Sequence, residues 1–302
     1  MIGAYKNGNY MVQIYENGTK MRVTKEDEFK PIFPESIDLK ITNQCNMECP
    51  YCHENSTPDG EHADLSAAFI DSLHPYTEIA IGGGNPLAHP GLEDFLTKLK
   101  EKRIIANITI HQRHFMQEYD TIKRWYEAKL IHGIGVSVNS VHNPDLIYWL
   151  KSIPTIVCHI IAGVCPVGVI DTLSGEGLNL LILGYKDLRR GHAFKSTKVE
   201  ENIEQLAANI LDLKDHFKYI AFDNLAIQQL KMKSKIDSEI WDSVYMGDDG
   251  QFTMYIDLVN KLFAQSSTSL SRYEIDDNIN DMFKRIQYDI DFHKRYNFEM
   301  GM

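Results

Sequence analysis

At 302 residues, with 43% hydrophobic and 24% charged positions, the chain can bury a large core and has the balance of an ordinary soluble globular protein, one α/β domain with additions. Its net charge of −11 disfavours broad binding to a phosphate backbone, which needs a basic face, so nucleic acid is not an expected partner. No apolar run approaches the roughly 20 residues that cross a bilayer, and the start MIGAYKNGNYMVQIY has no signal-peptide core, so a cytoplasmic protein with no membrane partner is expected.

In chain order, the first pattern is YMVQIYENGTKMRVT (10–24), which alternates around Asn17-Gly18. That dipeptide supplies the positive φ of a tight turn, so residues 1–34 are expected to form an N-terminal β-hairpin arm, ended by Pro31 and Pro34. From 35 to 223 the reading changes to strand, loop, helix, repeated. SIDLKIT, TEIAIGG, IIANITI, GIGVSVN, TIVCHII, LNLLILG and YIAFD read as buried strands. ADLSAAFIDSLH, HPGLEDFLTKLKEK, MQEYDTIKRWYEAK and NPDLIYWLK read as helices between them. Alternation of this kind builds a parallel sheet with right-handed crossovers, here an open or complete barrel, whose active site gathers at the carboxyl ends of the strands. Residues 224–302 are expected to form a C-terminal α+β cap: YMGDDGQFTMYID reads as a hairpin turning at Asp249-Gly250, and a helical tail follows from about 278.

Three of the five cysteines fall within ITNQCNMECPYCHENSTPDG (41–60), directly behind the first strand of that repeat. Cys45, Cys49 and Cys52 form C-x3-C-x2-C, a spacing that lets thiolates on one loop converge on a soft metal centre. A structural zinc site wants four ligands, and no second C-x2-C pair exists. His53 adjoins Cys52 too closely to bind the same ion, and His62 reaches it only if the loop folds back. A catalytic iron–sulfur cluster is the favoured reading of the spacing, with zinc as the alternative.

With Tyr51 just before the third cysteine, this loop resembles the signature of the radical S-adenosylmethionine (radical SAM) superfamily. The resemblance implies a partial (β/α)6 barrel. It also implies that the three cysteines hold three irons of a 4Fe-4S cluster while the amino and carboxylate groups of S-adenosylmethionine chelate the fourth. An electron from a flavodoxin- or ferredoxin-type donor then cleaves the cofactor, and a 5′-deoxyadenosyl radical abstracts hydrogen from a substrate; this chemistry belongs to the cofactors. GGGNPLAHPGL (82–92) resembles the family segment that meets the methionyl amine, matching at Gly83, Gly84, Pro86, Leu87, His89 and Pro90. Asn85 departs from the usual Glu and carries no charge for that contact.

Further positions follow from the same resemblance. Ser137 and Asn139, ending GVSVNS, correspond to polar contacts with ribose or carboxylate, although a turn or helix cap explains them equally. Gly184 corresponds to backbone lying against adenine, and Tyr51 is placed to contact adenine. Cys165, beyond the end of TIVCHII, is a candidate hydrogen donor, as in some family epimerases; alternation sends Cys158 and His159 to opposite faces. Lys186, Arg189, Arg190, Asp223 and Asn224 follow strands and are candidate substrate contacts, with solvated charge the plain alternative. His53 and Glu54 are placed to touch substrate or tune the cluster. MGDDGQFTMYIDLVNKLFAQSSTS resembles the hairpin of a C-terminal SPASM domain, without its cysteines. The expected function is radical initiation on a peptide or protein. The same chemistry on a small metabolite or nucleoside is the first alternative. A metal-binding interaction protein, which Asn85 keeps open, is the second.

Overall fold

A computed structural model describes residues 1–16, 18–143 and 145–300, with side chains described as far as 292. The chain opens with three antiparallel strands, β1 (Gly3–Asn7), β2 (Tyr10–Ile14) and β3 (Lys20–Val23). The expected arm is therefore three-stranded. Asn7 pairs with Tyr10 across a two-residue loop in which Gly8 has φ +57°, so KNGNY carries its own turn signal. Of the turn expected between β2 and β3, Asn17 lies outside the described residues; Gly18 has φ +84°. Tyr10, Val12 and Ile14 pack with Ile105 and Phe252 in a small second core. Behind them Glu35, fully buried, accepts from the Tyr10 hydroxyl at 2.6 Å and pairs with Arg22 and Lys20.

Seven parallel strands follow in chain order along one sheet: β4 (Ser36–Thr42), β5 (Glu78–Gly83), β6 (Ile105–His111), β7 (Gly133–Ser137), β8 (Ile156–Ile161), β9 (Asn179–Leu183) and β10 (Tyr219–Phe222). Between them lie α1 (Leu92–Glu101), α2 (Gln112–Gln117), α3 (Tyr119–Glu127), α4 (Asp145–Ser152), α5 (Val167–Leu173), α6 (Arg190–Phe194) and α7 (Thr197–Asn209). The seven apolar runs become these strands because alternate residues such as Ile37, Leu39 and Ile41, or Ile79 and Ile81, are buried in the main core with the helices. The opposite face of each strand looks inward.

Two expectations need correction. The helix read over 63–74 is only a 3-10 turn, Ala68–Ser72. The chain before it is spent folding back on the end of β4, through bridges Gln44 to Thr57 and Thr42 to His62, and what remains plugs Phe69 and Ile70 into the core. The C-terminal hairpin does not turn at Asp249-Gly250. Instead α8 (Asn224–Gln229) and α9 (Ser238–Val244) lead to β11 (Thr253–Asp257), which pairs parallel with β4, and the reversal to β12 (Leu262–Ala264) comes at 258–261. There the Asp257 carboxylate accepts from the backbone and amide of Asn260, at 3.0 and 2.7 Å. Strand β13 (Tyr273–Glu274) ends the sheet and α10 (Ile279–Met300) ends the described chain. Thus β4 is an interior strand with β5 on one side and β11 on the other. The far edge curls back to meet this end: Asn224, just past β10, donates to the carbonyl of Gly247 and the carboxylate of Asp249, in the approach to β11. Among the described residues no helix is long and apolar enough to cross a membrane.

Candidate metal and cofactor site

The cysteine loop leaves the carboxyl end of β4 and is strapped from several sides. The Cys45 amide donates to Thr57 O at 2.8 Å and the Thr57 amide to Asn43 O at 3.1 Å, so 43–45 and 57–61 run as a short ribbon. On the other side the Gly84 amide donates to Thr42 O and the Asn85 amide to Gln44 O, both at 2.7 Å. The glycines are required by this approach. A Cβ on Gly84 would lie 2.3 Å from Gln44 O, and Gly83, at φ +111°, would place one 2.5 Å from Thr42 O. Their first role is therefore to seat the cysteine loop against the end of β5. Gly84→Ala is expected to cost about 1–3 kcal/mol of stability and to impair iron loading, measured by thermal unfolding and metal analysis. Gly82→Ala is the tolerant control, since its Cβ meets only Thr109 at 4.0 Å.

Cys45, Cys49 and Cys52 are free thiols, each half-buried. Burial pushes the Cys45 and Cys49 thiols above their ordinary range. Among the described residues no three His, Cys, Asp or Glu side chains lie close enough to share one metal ion. Three thiolates on one loop are the donor set of a cluster that keeps one iron open, whereas a structural zinc site takes four ligands. His62 does fold back, but its Nδ1 lies 2.8 Å from Thr42 Oγ1 and its ring packs on His89, not on the cysteines.

Around the mouth the other expected residues are brought to one end of the sheet. Asn139 Nδ2 donates to the Tyr51 hydroxyl at 2.8 Å and lies 3.3 Å from Nε2 of His111. Tyr51 also meets Phe194 edge to face. Ser137 faces inward in register with His111 on β6 and His159 on β8. The Asn85 side chain accepts from the Leu87 amide and caps the turn Pro86–Ala88. Gly184 stands apart: a Cβ there would lie 2.4 Å from Leu225 Cγ and 2.7 Å from the Ala226 nitrogen, so the packing of α8 demands it. Cys158 points into the core, its thiol pushed up to about 12 by burial. His159 takes the inner face over Gly135, with its Nδ1 unpartnered among the described residues, and burial lowers it to about 4. Cys165 is 8% exposed, with Sγ 3.8 Å from Val138 O, and burial pushes it up to about 12.

The residues just after the third cysteine enter a buried charge network that sequence reading assigned only as separate candidates. Lys40, on the inner face of β4, pairs with Glu54 at 2.8 Å and with Asp257 of β11 at 3.1 Å; both Lys40 and Asp257 are 2% exposed at the side chain. His53 Nε2 lies 3.3 Å from both Glu54 and Lys186, and Lys186 also donates to Ser267 at 2.8 Å. Burial opposes ionisation of Glu54, but His53 and Lys40 outweigh it and hold the carboxyl well below its usual range. Burial and Lys186 keep His53 on the neutral side, which leaves Lys40 as the main counter-charge. Arg189 donates to His53 O and Arg190 to Ser56 O, at 2.8 and 2.7 Å, while Asp223 caps α8 and binds the Gly184 amide. Lys186, Arg189, Arg190, Asp223 and Asn224 are thus engaged by the protein itself. Lys40, Asp257, His111, Gln112 and His114 were missed; the signal for Lys40 was an ammonium at an inward position of an otherwise buried strand.

Comparison with known proteins adds a family. The model of the Radical SAM superfamily matches residues 39–155. The GTP 3′,8-cyclase of Photorhabdus laumondii is 29% identical over 114 residues, 35% of this chain and 34% of that protein. The antilisterial bacteriocin subtilosin biosynthesis protein AlbA of Bacillus subtilis is 23% identical over 148 residues, 44% of this chain and 31% of that protein. These alignments span about a third of the length of either curated relative. The crystal structure of Streptococcus suis SuiB bound to precursor peptide SuiA superposes with a TM-score of 0.60 at 13% identity, covering 84% of this chain and 65% of that one. SuiB bound to S-adenosylmethionine gives 0.55, also at 13% identity, covering 81% and 64%. At such identity the likeness is one of fold.

Proposed function

We propose that this chain, whose residues 39–155 match the model of the Radical SAM superfamily, is an enzyme of that superfamily with a 4Fe-4S cluster and S-adenosylmethionine as cofactors, and that it initiates radical chemistry on a peptide or protein. The observation that carries the reading is the strapped loop at the end of β4, which presents three free half-buried thiols at the C-x3-C-x2-C spacing. When bound and reduced by one electron, the cofactors supply a 5′-deoxyadenosyl radical that takes hydrogen from the substrate. In this reading Cys45, Cys49 and Cys52 hold the irons. Tyr51, Gly83, Gly84, Asn85, Ser137 and Asn139 surround the S-adenosylmethionine, and Gly184 serves it through the backbone. Cys165 stands in reserve as a hydrogen donor. Asn85 offers the methionyl amine an uncharged acceptor.

A peptide is favoured over a small molecule by SuiB, crystallised with its precursor peptide, and by AlbA, named for bacteriocin biosynthesis. The match to a GTP 3′,8-cyclase supports the second reading, the same initiation on a nucleotide or other small metabolite. The setting this chemistry requires is a reducing, cytoplasmic one with a flavodoxin- or ferredoxin-type donor, and the loaded enzyme is sensitive to oxygen. The residues from 224 onward act as a SPASM-like wall without a cluster of its own. The test is to reconstitute the chain without oxygen, add S-adenosylmethionine and dithionite, and look for 5′-deoxyadenosine by mass spectrometry. Its formation supports the reading; a fully loaded cluster that never yields it, with or without candidate peptides, overturns it.

A further inference from the structure

The junction of β6 with the first turn of α2 reads His111-Gln112-Arg113-His114, and three of its four side chains reach toward the cysteine loop or the residues that touch it. We propose that this turn is a clamp on the iron–sulfur loop, with His114 and Asn46 as its main positioning pair. The proposal rests on the radical SAM reading above. His114, 4% exposed, brings Nε2 to 2.7 Å from Oδ1 of Asn46, the residue directly after Cys45. The amide oxygen accepts, so the ring donates from Nε2 whatever its charge. Asn46 is itself exposed, and the bond joins it to His114 across 68 positions of sequence.

The second arm of the clamp reaches the other end of the loop. The Gln112 side chain accepts from the amides of Asn139 at 2.8 Å and Ser140 at 3.2 Å. It also donates to Ser140 O and Oγ, at 2.7 and 3.0 Å. This fixes Asn139, which holds the Tyr51 hydroxyl one residue before Cys52. His111 caps α2 by accepting from the Arg113 amide at 3.2 Å and brings its ring beside Asn139. One turn therefore grips the loop just after its first cysteine and just before its third. Hydrogen-bonded residues behind metal ligands govern both how firmly a centre is held and its reduction potential.

The test uses the cluster-loaded full chain as wild type, Asn46→Ala, Asn46→Asp and Asn46→Ala/His114→Gln. The readouts are iron and sulfide per chain, the rate at which a ferrous chelator bleaches the cluster, and the midpoint potential followed by electron paramagnetic resonance. Asn46→Ala is expected to lose its cluster about tenfold faster and to shift in potential. Asn46→Asp, which keeps an acceptor for the His114 N–H, is expected to hold its cluster like wild type, with a potential lowered by the added negative charge. The double variant should be no worse than Asn46→Ala alone if the two residues act through one bond. Thermal unfolding of the cluster-free Asn46→Asp chain should be unchanged, because Asn46 is exposed and the acceptor is kept, while Asn46→Ala should unfold at a modestly lower temperature because the His114 N–H is left unpaired. An Asn46→Ala chain that holds its cluster and potential like wild type overturns the clamp while leaving the radical SAM reading intact. A wild-type chain that takes up no cluster overturns that reading and the clamp with it.

Discussion

Substitution of Cys45, Cys49 or Cys52 by Ala is each expected to reduce 5′-deoxyadenosine formation to the level of the cluster-free chain, with a stable fold retained. The three thiols are half-buried and belong to no disulfide, and the loop is held by backbone bonds from Cys45, Thr57, Gly84 and Asn85 that no cysteine side chain makes. On the proposed reading, removing one sulfur therefore takes away one iron ligand and little packing. The same change at Cys158, which is fully buried in the core, is expected to do the reverse, lowering thermal stability while leaving iron content near wild type. Metal analysis and calorimetry on the four variants separate the two classes. A Cys49→Ala chain that still forms 5′-deoxyadenosine at the wild-type rate would remove the loop from the mechanism.

Lys40→Met is expected to cost about 3–5 kcal/mol, because it removes the buried cation shared by Glu54 and Asp257 and leaves Glu54 only the exposed Arg189 at 3.5 Å as a charged partner. Restoring neutrality with Glu54→Gln and Asp257→Asn in the same chain should recover much of the loss, since a neutral buried set avoids the desolvation of unpaired charge. The pH dependence has a definite sign. In the wild type the folded pKa of Glu54 is depressed below the usual 4.5, so its contribution to stability is complete above that value and is lost as pH falls through the folded pKa. Without Lys40 the folded pKa of Glu54 rises because a buried cation is lost, so the variant loses less stability on acidification than the wild type. The gap between the two proteins should be widest near neutrality and narrow below about pH 4, as chemical denaturation across pH will show. A constant gap would mean that Lys40 acts by packing alone.

The seven parallel strands and the cysteine loop were legible in the sequence because each is written locally. Outward Ile, Leu and Val residues alternate along each strand, and the three cysteines sit within one turn of chain. The helix over 63–74 was misread because its apolar spacing competes with the preceding stretch 57–62, which must fold back on the end of β4 and which no periodicity reveals. The C-terminal strands were misread for a different reason. Asp249-Gly250 is a genuine turn signal, with Gly250 at φ +80°, but β11 finds its partner in β4 across 217 residues, as the Lys40–Asp257 contact measures. The Gln112 and His114 contacts are likewise made between segments far apart, so neither residue carries a motif of its own.

The placement of β11 also has a consequence for the order of biosynthesis. Strand β4, which launches the cysteine loop, emerges early from the ribosome, whereas its second hydrogen-bonded neighbour and the Asp257 partner of Lys40 are translated more than two hundred residues later. Domains complete such long-range pairings only once the distant segment is available. On the proposed reading iron insertion is therefore an event of the chain translated beyond β11, and a nascent chain released before Thr253 is expected to present its three thiols on a less supported loop that retains no cluster.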